Sequence, residues 1–395
     1  MATRTRPELE RNIALAEAAW LPFSLPTIDD DDIASVVRCL RSGWLTSGPR
    51  GQEFEAAFAR YVGAKHALAV NSCTAALHLA LEAAGVGPGD EVITSPLTFT
   101  ATAAVIEHLG ARPVLADVDP VTLNLDPACV AATVSSWTRA IVPVHFAGQA
   151  CDMDPLLAIA GEHGLKVVED AAHALPTRHG DKRVGAIGDA TCFSFYVTKT
   201  ITTGEGGMVT TDNDDMAERM KTMRLHGMSR DAWNRYGQGG SWAYDVVAAG
   251  YKDNLSDLAS ALGLTQLEKS DRFHARRRAI ARAYDEGLAD IEGVDTPQVT
   301  DFDGHAWHLY VLQVDARDRF IEELAARGIG TSVHFIPLHH LSHYRERYRY
   351  KPSDFPEATA AFERIVSLPI YPRMTDADVA RVIEAVRDVA REVRS

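Results

Sequence analysis

Between about Ala67 and Gly207, short β-rich runs alternate with helical stretches, and this alternation constrains the fold more than any other feature. His66–Val70, Glu91–Thr94, Pro113–Ala116, Ala140–Pro143 and Lys166–Glu169 are the β-rich runs. Helical stretches begin near Thr74, Thr100, Pro127 and Pro155. Such spacing builds crossover units, so the sequence predicts an α/β fold with a mostly parallel sheet and helices on both faces. Turn signals punctuate it at Gly85–Asp90 and at Glu162-His163-Gly164. Two more strand-like pieces are expected after Lys199, one of them Gly207–Thr211.

Beyond about Ser256 the character changes. Leu258–Leu288 reads as one long helix carrying Arg276-Arg277-Arg278 on an exposed face. A strand over Trp307–Gln313, a helix through Glu323–Arg327 and a closing helix from Asp376 to about Val393 follow. A single core rarely exceeds roughly 250–300 residues, and this chain has 395. The predicted division is an N-terminal arm (1–24), a large domain (25–255) and a smaller α/β domain (256–395). The run Asp29–Asp32 suits the start of a helix, as a solvated cap.

Forty basic against fifty-four acidic residues give a net charge of -14. That excludes the basic field needed for nucleic acid or an anionic membrane surface. No apolar run approaches the roughly 18 residues of a membrane span, and no signal-peptide core follows the N-terminus. Cys39, Cys73, Cys129, Cys151 and Cys192 form no Cys-x-x-Cys pair, which favours reduced thiols in the cytoplasm over disulfides or zinc. His339, His340 and His343 have no suitably spaced carboxylate, so a surface or substrate-lining role is expected and no metal.

In an open parallel sheet, ligands collect at the carboxyl ends of the strands, and three features fall there. Asn71–Leu77 joins a strand to a helix, where free amides, Ser72 and Thr74 form either an anion cup or an ordinary N-cap. No Gly-x-Gly-x-x-Gly follows the early strands, which speaks against a nicotinamide oxidoreductase. Glu169-Asp170-Ala171-Ala172-His173 closes a strand with two carboxylates beside a histidine, unless Asp170 is only a turn residue. Lys199 lies in the aromatic and hydroxyl-rich stretch Phe193–Gly207, where desolvation lowers an amine's pKa and readies it for Schiff-base chemistry. An anion cup, a carboxylate and a sequestered lysine are what pyridoxal phosphate needs.

The chain resembles the DegT/StrS family of nucleotide-sugar aminotransferases. The resemblance lies in Ser42–Pro49, Asn71–Leu77, Glu169–Ala174, Ser194–Gly207, Gly250–Asp257 and Gly328–His334. Within the family it is most similar to UDP-4-amino-4-deoxy-L-arabinose aminotransferases, in Leu21–Ser24, His305–His308 and Tyr344–Arg347. The resemblance implies the aspartate-aminotransferase (type I) fold and pyridoxal 5′-phosphate, with pyridoxamine 5′-phosphate as its aminated form. It implies that Lys199 carries the cofactor and shuttles the proton, Asp170 pairs with the pyridine nitrogen, and His173 and Phe99 flank the ring. The amides of Cys73 and Thr74 and the hydroxyl of Ser194 bind the phosphate. Asn254 reaches it from the neighbouring protomer of a homodimer, and Trp44, Thr46 and His334 contact substrate.

Where many members have Gly or Ala, this chain has Cys73, whose thiol near a helix N-terminus is expected to be somewhat acidic. Members that dehydrate sugars carry His in place of the lysine, so Lys199 implies amino transfer, from L-glutamate to a keto-sugar, at C4. Amination at C3, amination of an inosose, and a cofactor-binding regulatory homologue are the alternatives. The loop Arg230–Tyr236 is expected to bear on the choice of sugar.

Overall fold

The computed structural model describes residues 20–229 and 244–394. The loop Arg230–Tyr236 and most of the N-terminal arm lie outside the described residues. Two helices, α1 (Asp30–Ser42) and α2 (Pro49–Val62), lead into β1 (His66–Val70) and α3 (Cys73–Ala83). Crossover units follow: β2 (Glu91–Thr94), α4 (Thr100–His108), β3 (Arg112–Leu115), α5 (Pro127–Thr133), β4 (Thr138–Val142), α6 (Met153–His163) and β5 (Lys166–Asp170). A small hairpin, β6 (Arg178–His179) and β7 (Lys182–Arg183), precedes β8 (Ala190–Ser194), β9 (Gly207–Thr211) and α7 (Asp214–Met223).

The strands form a seven-stranded sheet in the order β1-β9-β8-β5-β4-β2-β3. It is mostly parallel; β9 alone runs antiparallel to both its neighbours, β1 and β8. The register builds the site. Gly207 pairs with Val70 on one side and Ser194 on the other, and Asp170 pairs with Cys192. The carboxyl ends of β1, β5 and β8 therefore meet beside the start of β9. Side chains alternate along a strand, so Glu169 and Asp170 face opposite sides. Helix α3 packs its buried Leu77, Ala80 and Leu81 against this sheet.

Of the two strand-like pieces expected after Lys199, β9 forms. Among the described residues beyond it, only isolated bridges such as Leu225 to Lys252 and Met228 to Val246 occur before the helix that starts at Asp257.

The predicted long helix is two helices, α8 (Asp257–Glu268) and α9 (Ser270–Leu288). They break at Lys269, which adopts φ -95° and ψ -5°. Its ammonium is held at 2.6 Å by both Asp29 and Asp32. This also corrects the solvated cap. Asp29 and Asp32 form a reciprocal capping box at the start of α1, but the Asp32 side chain is buried and also accepts from Thr265 and Gln266.

A three-stranded antiparallel sheet of β10 (Val294–Asp295), β11 (Tyr310–Val314) and β12 (Ile365–Leu368) follows in the C-terminal part. It shares a core with α9, α10 (Arg317–Ala326) and α13 (Asp376–Arg394); α11 (Ser342–Tyr348) and α12 (Pro356–Arg364) complete the chain. The expected strand from Trp307 starts only at Tyr310, because Trp307 takes a left-handed φ of 51°. Arg277 overturns the exposed-face reading of the arginine run. It is 2% exposed, and its Nη1 donates to the carbonyls of Trp307 (3.1 Å), His308 (3.2 Å) and Ile370 (2.6 Å).

Among the described residues, no helix is long and apolar enough to cross a membrane.

Candidate active site

A cavity of about 320 Å³ opens at the strand ends. Cys73, Thr74, Phe99, Asp170, His173, Ser194, Lys199 and His334 all line it, so the structure brings together eight of the eleven site residues expected from sequence. Each reaches it by a simple device of the fold.

Ser72 caps α3, its Oγ accepting from the Ala75 amide at 3.1 Å. The first helical bond runs from the Ala76 amide to the Ser72 carbonyl, leaving the amides of Cys73 and Thr74 without helical acceptors at the positive end of the helix dipole. Gly207 permits this turn to lie against β9. A Cβ there would sit 2.6 Å from the Ser72 carbonyl carbon and 2.7 Å from the Cys73 nitrogen. Ser194 ends β8 beside the turn, its Oγ accepting weakly from the Tyr196 amide at 3.3 Å.

The Cys73 thiol is not acidic. Burial, followed by the charge of Asp170, pushes its pKa well above the ordinary value and outweighs the opposing effect of Lys199. Its Sγ lies 3.6 Å from the Cys192 carbonyl. The helix terminus suggested the opposite; desolvation by burial sets the direction.

Asp170 is buried at the end of β5, and burial raises its pKa. Thr102 Oγ1 donates to Oδ2 at 2.8 Å and the Ala172 amide to Oδ1 at 3.1 Å; both oppose that rise, as does Lys199. Glu169 faces the other way. It accepts from the Gly188 amide and Thr191, and pairs with His145 at 2.9 Å in a fully buried pair. The Cys151 amide donates to Nδ1 of His145, so the proton of that ring sits on Nε2 and points at Glu169. The second carboxylate of the sequence pair therefore belongs to the scaffold and not to the cavity.

Lys199 follows a turn in which its amide donates to the Tyr196 carbonyl at 2.9 Å. Burial lowers its pKa to about 8, although Cys73 and Asp170 pull the other way. His173 lies with its ring stacked on Phe335 (5.6 Å between centroids, 19°), and burial holds its pKa well below the ordinary value. His334 donates to or accepts from Ser367 Oγ through Nδ1 at 2.9 Å, and burial lowers its pKa to about 4. Phe99, at the N-cap of α4, leaves 59% of its surface open although it is apolar and lines the cavity.

Trp44, Thr46 and Asn254 do not line this cavity. The Trp44 and Thr46 carbonyls accept from Cys39 Sγ and the Asp257 amide, and Asn254 donates to Ser47 Oγ at 2.7 Å. Asn254 lies instead on a second depression of about 200 Å³ with Ser47, Arg224 and Leu255.

Sequence reasoning missed Thr102, His308 and Phe335. Thr102 lies in the first turn of α4 and Thr98 just before its N-cap, and the two hydroxyls meet at 2.8 Å; the threonine-rich run Thr98–Thr102 was the available signal. His339 bonds Thr359 and His343 bonds Glu107; among the described residues no group of three or more His, Cys, Asp or Glu could hold a metal ion.

A doubly wound large sheet with an anion cup, a buried carboxylate and a lysine of lowered pKa in one cavity defines a type I pyridoxal-phosphate enzyme. The cup amides and Ser194 fit the phosphate and Asp170 fits a protonated pyridine nitrogen. The approach of β9 that only Gly207 allows leaves the cup its shape. Residues 26–387 match the model of the DegT/DnrJ/EryC1/StrS aminotransferase family. The spore coat polysaccharide biosynthesis protein SpsC of Bacillus subtilis is 55% identical over 379 residues, covering 94% of this chain and 97% of that protein. The putative sugar aminotransferase Spr1654 of Streptococcus pneumoniae, solved in PLP and PMP forms, superposes with a TM-score of 0.89 at 34% identity. In the PMP form, 94% of this chain and 100% of that one are covered. DesV of S. venezuelae, solved with a ketimine intermediate, gives a TM-score of 0.86 at 34% identity over 94% of this chain and 99% of its own.

The chain belongs to the DegT/DnrJ/EryC1/StrS aminotransferase family and is a pyridoxal-phosphate-dependent sugar aminotransferase.

Proposed function

We propose that the protein moves an amino group from L-glutamate to the C4 ketone of a nucleotide-linked keto-sugar. It works in the cytoplasm as a homodimer, with Asn254 of each protomer completing the neighbouring site. The observation that carries this reading is the meeting of Lys199, Asp170 and His173 in one cavity beside the Cys73–Thr74 cup. The family supports the donor and the nucleotide carrier. The relative named for spore coat polysaccharide biosynthesis supports an acceptor destined for a surface glycan.

In this reading the amides of Cys73 and Thr74 and the Ser194 hydroxyl hold the phosphate. Asp170 would keep the pyridine nitrogen protonated, and the cofactor, when bound, would supply an electron sink. His173 and Phe99, which both line the cavity, would flank the ring. Lys199 Nζ, whose pKa of about 8 makes it a readier base near neutral pH than an ordinary lysine, takes the proton released at the donor's α-carbon and delivers one to the sugar carbon. His334, Trp44 and Thr46 orient the sugar, the last two from the partner side. Burial keeps His334 neutral, so it offers hydrogen bonds and no charge.

A visible-absorption titration tests this. L-Glutamate should remove the band of the bound cofactor, and one keto-sugar from a panel carried on UDP and dTDP should restore it. Restoration by a C3-keto sugar or an inosose would move the acceptor. A band that glutamate leaves untouched would contradict the donor and point to a regulatory protein.

A further inference from the structure

His308 is not needed by the chemistry above, yet it is buried in the cavity wall beside His173, with ring centroids 4.4 Å apart and planes tilted by 40°. Phe335 covers His173 at 5.6 Å, stacked within 19°. His173 comes from the end of β5 in the seven-stranded sheet. His308 and Phe335 come from the C-terminal part, at the approaches to β11 and α11. Among the described residues, Nδ1 of both His173 and His308 is buried without a hydrogen-bond partner, so no hydrogen bond at that atom fixes either ring. Ring packing is left to hold His173.

The backbone that presents His308 is held at several points. Arg277 clamps the Trp307 and His308 carbonyls, the Ala306 amide donates to the Gly148 carbonyl, and the Leu309 amide donates to that of Ala147. Gly148 lets the two segments touch, because a Cβ on it would lie 2.9 Å from Ala306 Cβ, 3.0 Å from the His173 carbonyl and 3.2 Å from the His308 nitrogen. Three devices thus spend themselves on one segment: a buried guanidinium, a left-handed Trp307 and a close-approach glycine. That segment's contact with the site is the His308 ring.

We propose that His308 is a positioning residue, which acts through His173 by fixing the plane of that ring from the C-terminal part of the chain. This rests on the cofactor reading above. His308 exchanges no proton with substrate; it packs. A site misplaced by about 1 Å can lose 10²-fold in rate, so a partial release of His173 should be visible in kcat.

The test compares His308→Ala, His308→Gln and His308→Phe in the holoenzyme by steady-state kinetics and by visible circular dichroism of the bound cofactor, which reports its orientation. Thermal melting of the apo-proteins accompanies both. His308→Ala should lower kcat by about tenfold with little change in KM for the keto-sugar, and should alter the dichroic band. His308→Phe, which keeps a ring but no nitrogen, should recover most of both; His308→Gln, with nitrogen but no ring, should not. Recovery by Gln and not by Phe would overturn the proposal in favour of a hydrogen-bonding role. Unchanged dichroism and kcat in a well-folded His308→Ala protein would overturn it outright. Wild-type protein with no cofactor band would instead sink the reading on which it rests.

Discussion

Thr102 Oγ1 donates to Asp170 Oδ2 at 2.8 Å, while itself meeting Thr98 Oγ1 at 2.8 Å, inside a wholly buried pocket. Burial pushes the Asp170 pKa up, and Thr102 is the strongest of the groups that hold it down. Thr102→Val keeps the shape and removes the donor, so the carboxyl should rise further and be less fully ionised at a given pH. The expected outcome is a loss of roughly tenfold in kcat, about the worth of one hydrogen bond to a charged group, with the acid limb of the pH profile displaced to higher pH. A kcat–pH profile superimposable on wild type would contradict this role.

Lys199 yields a second expectation. An ordinary lysine titrates near 10.4, whereas this one is lowered to about 8. In the apo-protein the folded state therefore releases this proton first. The unfolded chain keeps it between about pH 8 and 10.4, so this group makes stability rise with pH across that window. Lys199→Met should be more stable than wild type at pH 7, with the advantage shrinking as the pH passes 8 and approaches 10.4. Denaturant melts across that range read the difference directly. Turnover in the same variant should be abolished.

Gly207→Ala is the expected single-methyl lesion of the phosphate cup. The added Cβ collides with backbone, at the Ser72 carbonyl and the Cys73 nitrogen, and backbone cannot swing aside as a flexible side chain does. Overpacking of this kind costs about 1–3 kcal/mol. Cofactor affinity should fall more than tenfold in equilibrium dialysis, because the strand can yield only by moving the cup. An unchanged dissociation constant would show that the turn relaxes without disturbing the phosphate site.

Much of this was legible in the sequence, because periodicity and strand-end chemistry are local. The alternation of β1 to β5 with α3 to α6 follows from apolar runs and turn residues, and Lys199, Asp170 and Cys73 sit where strand ends must be. What was hidden depends on distant partners. Nothing local distinguishes Arg277 from its neighbours Arg276 and Arg278; three carbonyls from residues 307, 308 and 370 decide that it is inside. The break at Lys269 likewise depends on Asp29 and Asp32, more than 200 positions earlier. The Cys73 thiol reads as acidic in the sequence because a helix terminus is visible there and desolvation is not.

Arg277 carries its own prediction. Its guanidinium has three carbonyl acceptors, and Arg277→Met would strand them in the interior. Unsatisfied buried acceptors cost about 1–3 kcal/mol each, partly relieved by relaxation, so a loss of about 3 kcal/mol in urea unfolding is expected. The same change frees the Trp307–His308 segment, so kcat should fall in the fraction that remains folded. Full stability in the variant would mean that the carbonyls find other donors.

The central claim is that Lys199 holds the cofactor, and chemical trapping addresses it most directly. Borohydride reduction of the holoenzyme, followed by proteolysis and mass spectrometry, converts the linkage between amine and carbonyl into a stable bond. The account predicts one adduct, of the cofactor's mass less water plus two hydrogens, on the peptide containing Lys199, and none after pretreatment with L-glutamate. An adduct on any other lysine, or none in protein that shows the cofactor band, would contradict it.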